Sequence, residues 1–276
     1  MAAGRGADPE EPVGRVHDVP DHAEPPTTRM SREAADSAPG APPRRPVDAV
    51  LFDFHGTLAQ VEEPVAWVQA AATTCGTTLD RARATALADR LVTAGRAGGP
   101  LPARVPPHLA EVWADRDLYA PAHRAAYVGL AETVDSGVSG LAEALYDRLL
   151  IPEGWLPYPD TAPTLRALRA AKVPVAVVSN IGFDVRPLFD AWELTELVDA
   201  FVLSYEVGRC KPDPAIFYRA CGLLGVDPER ALMVGDTPAD AGAVRAGCAA
   251  LVLPAAEPGQ VNGLAAALDL AVANGR

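Results

Sequence analysis

The chain has 276 residues, enough for one sizeable core with an insertion, and its 49% hydrophobic content is that of an ordinary globular protein. Its 24 Lys and Arg against 36 Asp and Glu leave a formal net charge of -12. That sign argues against nucleic acid or an anionic membrane as a partner, since both are held mainly by basic patches.

Residues 1–46 are dominated by Pro, Ala, Gly, Arg, Asp and Glu and carry no apolar period, so they read as a disordered N-terminal tail. They contain no apolar stretch suited to a secretory signal, and either Met1 or Met30 is read as the start. No run of ~18 apolar residues occurs, so no membrane span is predicted. Cys75, Cys210, Cys221 and Cys248 form no CxxC pair and have no nearby His, which argues against zinc. A cytoplasmic chain with reduced thiols is the expectation.

From Val47 onward the pattern changes. Residues 48–53 read as a buried strand ending in a carboxylate, and apolar runs at 173–179, 200–205, 231–235 and 249–253 match it. Short continuous apolar runs suit a parallel sheet covered on both faces. Helical spacing lies between them: from Asp160 with Leu165 and Leu168 on one face, at 213–221 with Ile216, Phe217 and Ala220, at 240–247, and at 263–274. Strands alternating with helices predict a doubly wound α/β fold with a parallel sheet. Residues 60–156 differ, with helix-like stretches at 64–75, 79–95, 109–118, 120–135 and 141–149 punctuated by Pro and Gly. They read as a helical cap inserted after the first strand and turn, leaving a core of 47–59 and 157–276.

Four short segments carry the chemistry. They are Asp53-Phe54-His55-Gly56-Thr57-Leu58, Val177-Val178-Ser179-Asn180, Lys211-Pro212-Asp213-Pro214 and Gly235-Asp236-Thr237-Pro238-Ala239-Asp240. In open α/β sheets ligands bind outside the carboxyl ends of the strands, and these segments lie at or just beyond such ends. Together they supply carboxylates, a hydroxyl and an ammonium, a set suited to moving a phosphoryl group with a divalent metal. Basic residues are almost all Arg, and the only lysines are Lys172 and Lys211. A Lys retained beside Pro212 and Asp213 points to a role that Arg does not fill. Gly56 and Thr57 fit a tight turn whose backbone N–H groups face an anion.

On these motifs, and on the stretch from Glu206 to Phe217, residues 47 to about 254 resemble the haloacid dehalogenase-like (HAD) hydrolase superfamily with a C1-type helical cap. The resemblance implies a Rossmann-like core and a Mg²⁺-dependent hydrolase, a phosphatase acting on a small phosphate ester. Asp53 then corresponds to the nucleophile that forms an aspartyl phosphate. Asp53, Asp236 and the main-chain oxygen of His55 correspond to the metal ligands. Ser179 and Asn180, with Gly56 and Thr57, correspond to the phosphate and substrate contacts. Lys211 neutralises the charge on Asp53 and on the transferring group. Asp240 acts through water or by holding Lys211, with a helix N-cap as its alternative role. His55 departs from the pattern, because phosphatases of the family carry Asp there as acid and base. An imidazole with a reference pKa of ~6.5 has the chemistry for both jobs, or it is an inert occupant. Two further readings stay open: a metal-free 2-haloacid dehalogenase-like enzyme, and a phosphate-ligand binding protein with impaired catalysis.

Overall fold

The computed structural model describes residues 47–272; the expectations for residues 1–46 and for the end of the last helix lie outside the described residues. Strand β1 (Ala49–Phe52) leads through a tight turn to a short strand β2 (Ala59–Val61). Helices α1 (Pro64–Thr74), α2 (Arg81–Ala94), α3 (Ala110–Ala114), α4 (Ala120–Glu132) and α5 (Leu141–Asp147) follow, and strand β3 (Trp155–Pro157) brings the chain back. The remainder alternates: α6 (Thr161–Ala170), β4 (Val175–Ser179), α7 (Arg186–Ala191), β5 (Ala200–Leu203), α8 (Ser204–Val207), α9 (Pro214–Leu224), β6 (Ala231–Gly235), α10 (Pro238–Ala241), β7 (Ala249–Val252) and α11 (Ala265–Val272).

The main sheet has the order β5-β4-β1-β6-β7, with every pair parallel. Residue alternation along the strands sends Val50, Phe52, Val175, Val177, Leu232 and Val234 to one face, where Leu165, Leu168, Leu188 and Phe189 cover them. Leu51, Ala176, Val178, Ala231 and Met233 go to the other face, against Ile216, Phe217, Ala220 and Cys221 of α9. Burial on both faces is why these strands read as unbroken apolar runs. Each fully buried Leu or Phe contributes about 1.5–3 kcal/mol of transfer free energy. Chain order reverses beside β1: β4 and β5 extend the sheet one way, β6 and β7 the other. The carboxyl ends of β1, β4 and β6 therefore sit side by side at the switch point, where ligands bind in such sheets.

The helical insertion carries its own apolar cluster of Trp67, Val68, Leu87, Leu91, Leu141 and Leu145. Its helices start where the side chains dictate. The Glu63 carboxylate accepts from the Val65 and Ala66 amides ahead of α1, and Asp80 accepts from the Arg83 amide ahead of α2. That capping explains why α2 begins at Arg81 rather than at the expected 79. The expected limits of the core, at 59 and 157, fall within an antiparallel pair of β2 with β3. Each strand has only three residues, too short to leave a period in the sequence. A bidentate Glu62–Arg148 contact at 2.8 Å ties the two ends of the insertion together beside this ribbon. Among the described residues no helix is long and apolar enough to cross a membrane.

Candidate active site

Asp53 follows the last residue of β1, and its amide donates to the Val234 carbonyl of β6 at 2.9 Å. The next residues make one helical turn: the Leu58 amide donates to the Phe54 carbonyl at 2.9 Å, and Gly56 turns with φ +79°. Only glycine fits there, because a Cβ on Gly56 would lie 2.2 Å from Asp236 Oδ2. The close approach of this turn to the end of β6 brings the Asp53 and Asp236 carboxylates together.

Lys211 arrives from the loop after α8, buried to 5% exposure. Its Nζ is 2.7 Å from Asp53 Oδ1 and 2.6 Å from Asp240 Oδ1, and donates to the Val178 carbonyl at 2.9 Å. All three ammonium protons have an acceptor. The Asn180 amide holds the Lys211 backbone at both ends: Nδ2 donates to the Lys211 carbonyl at 2.9 Å, and Oδ1 accepts from the Lys211 amide at 2.7 Å. Thr237 rather than Asp240 is the cap of α10. Asp240 is the third residue of that helix, and its Oδ2 accepts from the Thr237 amide and hydroxyl at 3.0 and 2.7 Å. Both Asp240 oxygens are therefore engaged.

Asp53, Asp236 and Asp240 bring carboxylate oxygens within 4.8 Å of one another, against one ammonium. The electrostatics follow from that imbalance. Burial opposes ionisation of Asp240, but Lys211 and Thr237 outweigh it and hold the carboxyl below its usual value. Burial raises Asp53 despite Lys211, with Asp240 adding to the rise. Burial, then the Asp53 and Asp240 charges, push Asp236 up to about 7. Burial would lower Lys211, yet Asp53 and Asp240 more than offset it and keep the ammonium charged. Asp236 Oδ1 is buried without a hydrogen-bond partner.

Ser179 ends β4 and, with Asp53, His55, Asn180, Lys211, Asp236, Thr237 and Ala239, lines a cavity of about 210 Å³. A larger concavity of about 430 Å³ on the insertion is lined by Glu132, Asp135 and Glu143 but by no cation, so it lacks convergent chemistry. His55 stands edge-on to Trp155, at 5.9 Å between ring centres. Burial pushes its imidazole down to about 4; Gln60 and the Gly98 backbone pull against this, and the Arg96 charge adds to it. The ring is uncharged at neutral pH. Thr57 is fully buried, and its hydroxyl has no partner.

A family model for haloacid dehalogenase-like hydrolases matches residues 47–247. The chain belongs to that hydrolase family. It is 39% identical over 85 residues to a phosphoglycolate phosphatase of Aquifex aeolicus, covering 30% of this chain and 40% of that protein. It is 36% identical over 86 residues to (S)-2-haloacid dehalogenase 1 of a Pseudomonas species, covering 31% of this chain and 38% of that protein. The chain thus spans about two fifths of the length of these relatives. The crystal structure of a dehalogenase matches with a TM-score of 0.55 and 25% identity, over 81% of this chain and 96% of that one.

In this hydrolase the structure brings Asp53, His55, Ser179, Asn180, Lys211 and Asp236 to one cavity, whereas Gly56, Thr57 and Asp240 do not line it and Thr57 and Asp240 are fully buried. Asn180 lines the cavity but commits both amide atoms to the Lys211 backbone, and Gly56 serves the approach of Asp236. Two further residues support the site. Asn262 is 5% exposed and donates from Nδ2 to the Gly56 and Thr57 carbonyls at 3.1 and 2.9 Å. Gly98 of the insertion, with φ +72°, packs on the His55 ring: a Cβ there would lie 3.0 Å from Nε2 and 2.6 Å from Val61 Cγ1. Only the Gly98-Gly99-Pro100 turn hinted at Gly98. No local signal marked Asn262.

Proposed function

We propose that this hydrolase is a divalent-metal-dependent phosphatase of small phosphate esters that works through an aspartyl phosphate on Asp53. The observation that carries the reading is two buried carboxylates, Asp53 and Asp240, and a half-buried third, Asp236, around the single Lys211 ammonium, with Asp236 Oδ1 left unpartnered. A half-buried acid that desolvation, and then the Asp53 and Asp240 charges, hold up at about 7 is where a second cation would bind. Hard oxygen donors suit Mg²⁺. Asp53, Asp236 and the main-chain oxygen of His55 are its ligands in this reading, and Asp240 is not, because both its oxygens are taken. When bound, Mg²⁺ supplies positive charge against the phosphoryl oxygens.

The chain's own residues do the rest. A carboxylate oxygen of Asp53 forms a bond to phosphorus as the ester oxygen leaves with its electron pair and takes a proton from water. Lys211, fixed by Asp240, Val178 and Asn180, offsets the negative charge of the group in transfer. Ser179 supports a phosphoryl oxygen. Water then opens the aspartyl phosphate, returning the carboxylate and releasing inorganic phosphate. With its pKa pushed down to about 4, the His55 imidazole lacks at neutral pH the second ring proton that an acid would give, so in this reading it fills space beside the leaving group instead of acting as its acid. The insertion serves as a cap: Gly98 covers His55, and the Ser204 hydroxyl donates to the Asp117 carbonyl. Such closure limits water during the first step.

The test is a panel of phosphate esters and 2-haloacids assayed with Mg²⁺ and with chelator, reading inorganic phosphate and halide. Metal-dependent phosphate release is the expected result. The similarity to (S)-2-haloacid dehalogenase 1, with an uncharged ring at position 55, favours carbon–halogen hydrolysis as the second reading. Halide release in chelator would establish it and refute the first.

A further inference from the structure

The turn between β1 and β2 carries Asp53 and His55, yet its own hydrogen bonds do not complete it. Within it, the Leu58 and Ala59 amides donate to the Phe54 carbonyl at 2.9 and 3.1 Å, and the Gly56 amide donates to the Ala59 carbonyl at 2.9 Å. The Gly56 and Thr57 carbonyls are met from outside the turn, by Nδ2 of Asn262 at 3.1 and 2.9 Å. A buried carbonyl left without a donor is costly, so the turn keeps this shape while that amide is in place.

Asn262 is itself held on both sides. Its Oδ1 accepts from the Ala256 amide at 2.9 Å, and its own amide donates to Asp160 Oδ1 at 2.9 Å. Asp160 Oδ2 accepts from the Leu264 amide at 2.9 Å, so one carboxylate clamps the chain around Asn262. Residues 254–261 and 263 are exposed or half-buried, whereas Asn262 is buried. Between β7 and the buried Leu264, hydrogen bonds rather than apolar packing therefore set where this strap runs.

The strap also touches the root of the insertion. The Ala256 carbonyl accepts from the Tyr158 hydroxyl at 2.9 Å, and that hydroxyl accepts from Gln60 Nε2 at 2.5 Å. Gln60 lies in β2 and Tyr158 follows β3, the antiparallel pair through which the chain enters and leaves the insertion. A path of hydrogen bonds thus runs from Gln60 through Tyr158, Ala256 and Asn262 to the Gly56 and Thr57 carbonyls.

We propose that Asn262 is a positioning residue of the catalytic centre, which sets the turn bearing Asp53 and His55, and that Tyr158 ties this setting to the strand pair at the root of the insertion. The role rests on Asp53 as nucleophile and on the His55 main-chain oxygen as a metal ligand. Ser179 ends β4, Lys211 follows α8 and Asp236 follows β6, so they do not ride on this turn. A slack turn misplaces the attacking oxygen and one metal ligand and leaves the other contacts standing. A misplacement of about 1 Å costs on the order of 10²-fold in rate.

The test compares the full chain with Asn262→Leu, which keeps the side-chain shape and removes its polar atoms. With 4-nitrophenyl phosphate and Mg²⁺, kcat should fall by at least about tenfold while KM stays within about threefold. Calorimetric binding of Mg²⁺ without substrate should weaken by at least about fivefold, since Mg²⁺ has few protein ligands to lose. Phe217→Leu, in the core at α9, lowers stability without touching the turn and should leave kcat and Mg²⁺ affinity within about twofold. Tyr158→Phe should shift both in the same direction by roughly two- to fivefold and add nothing to Asn262→Leu. Unchanged kcat and Mg²⁺ affinity in Asn262→Leu overturn the positioning role, as do losses that Phe217→Leu reproduces at an equal fall in melting temperature. Losses that multiply in the double variant overturn the tie through Tyr158. If Asn262→Leu does not fold, Asn262→Asp replaces it with the same expectations, because it keeps the acceptor for Ala256 and sets an acceptor against the two carbonyls. A parent chain that neither binds Mg²⁺ nor releases phosphate sinks the phosphatase reading instead. Halide release from a 2-haloacid, which also starts at Asp53, then carries the same kcat comparison.

Discussion

Replacing Lys211 by Met removes the one cation from the carboxylate cluster while keeping most of the side-chain volume. The lost contacts are the 2.7 Å and 2.6 Å ion pairs to Asp53 and Asp240 and the 2.9 Å bond to the Val178 carbonyl. Removing one partner of a buried ion pair typically costs about 3–5 kcal/mol, because the remaining charge stays buried and uncompensated. At roughly 2–4 °C per kcal/mol for a chain of this size, the melting temperature should fall by about 6–20 °C. The sign of the pH dependence is equally specific. In the parent protein the Lys211 pKa is raised above its usual value, so its stabilisation is fully present below about 10.5 and is lost only as pH rises through the folded value. In the variant, Asp53 and Asp236, already raised by burial, lose their compensating charge and rise further. The folded state then holds protons that the unfolded state has released, and stability falls as pH rises from about 4 to 8. Thermal melts by circular dichroism at pH 5 and pH 8, in chelator, measure both effects. A loss below about 1 kcal/mol, or one of the same size at both pH values, would refute the account of a single ammonium neutralising this cluster.

Asp53→Asn should abolish turnover and leave the melt near that of the parent, as read by phosphate release and circular dichroism; retained activity would remove Asp53 from the nucleophile's role. Asn180→Ala frees the Lys211 backbone from two hydrogen bonds of about 0.5–1.5 kcal/mol each, so kcat should fall by roughly 5–100-fold, with Asn180→Gln recovering little because its longer side chain cannot span the same pair. His55→Ala should slow turnover by less than about tenfold across a leaving-group series, whereas an acid–base role predicts ~10²–10⁴-fold and a larger loss for poor leaving groups. His123, 3% exposed and pushed down to about 3 by burial and then by Arg116, contributes stability that is present above about 6.5 and lost as pH falls toward 3. His123→Gln should therefore flatten the acid limb of the melting profile relative to the parent, and an unchanged limb would mean that the imidazole is not buried neutral.

The sequence by itself determined the sheet and the rim. Strands buried on both faces must be apolar at every position, so β1, β4, β5 and β6 stand out as runs, and the polar residue that ends such a run has to face the crevice. That logic placed Asp53, Ser179 and Asp236 together before any coordinate, and a Lys in an Arg-rich chain drew notice to position 211. Only the tertiary structure decided what those groups do to one another. The three-residue pairing of β2 with β3 is too short to leave a period. Asn262 reaches Gly56 across 206 residues, and Asn180 reaches Lys211 across 31, so neither contact follows from local pattern. Spacing alone left Asp240 as either a cap or a Lys partner; the structure engages one of its oxygens with Lys211 and the other with Thr237. The charge state of His55 depends on how much water reaches the ring once Gly98 and Trp155 have packed beside it, and burial is a property of the folded chain that residue type does not carry.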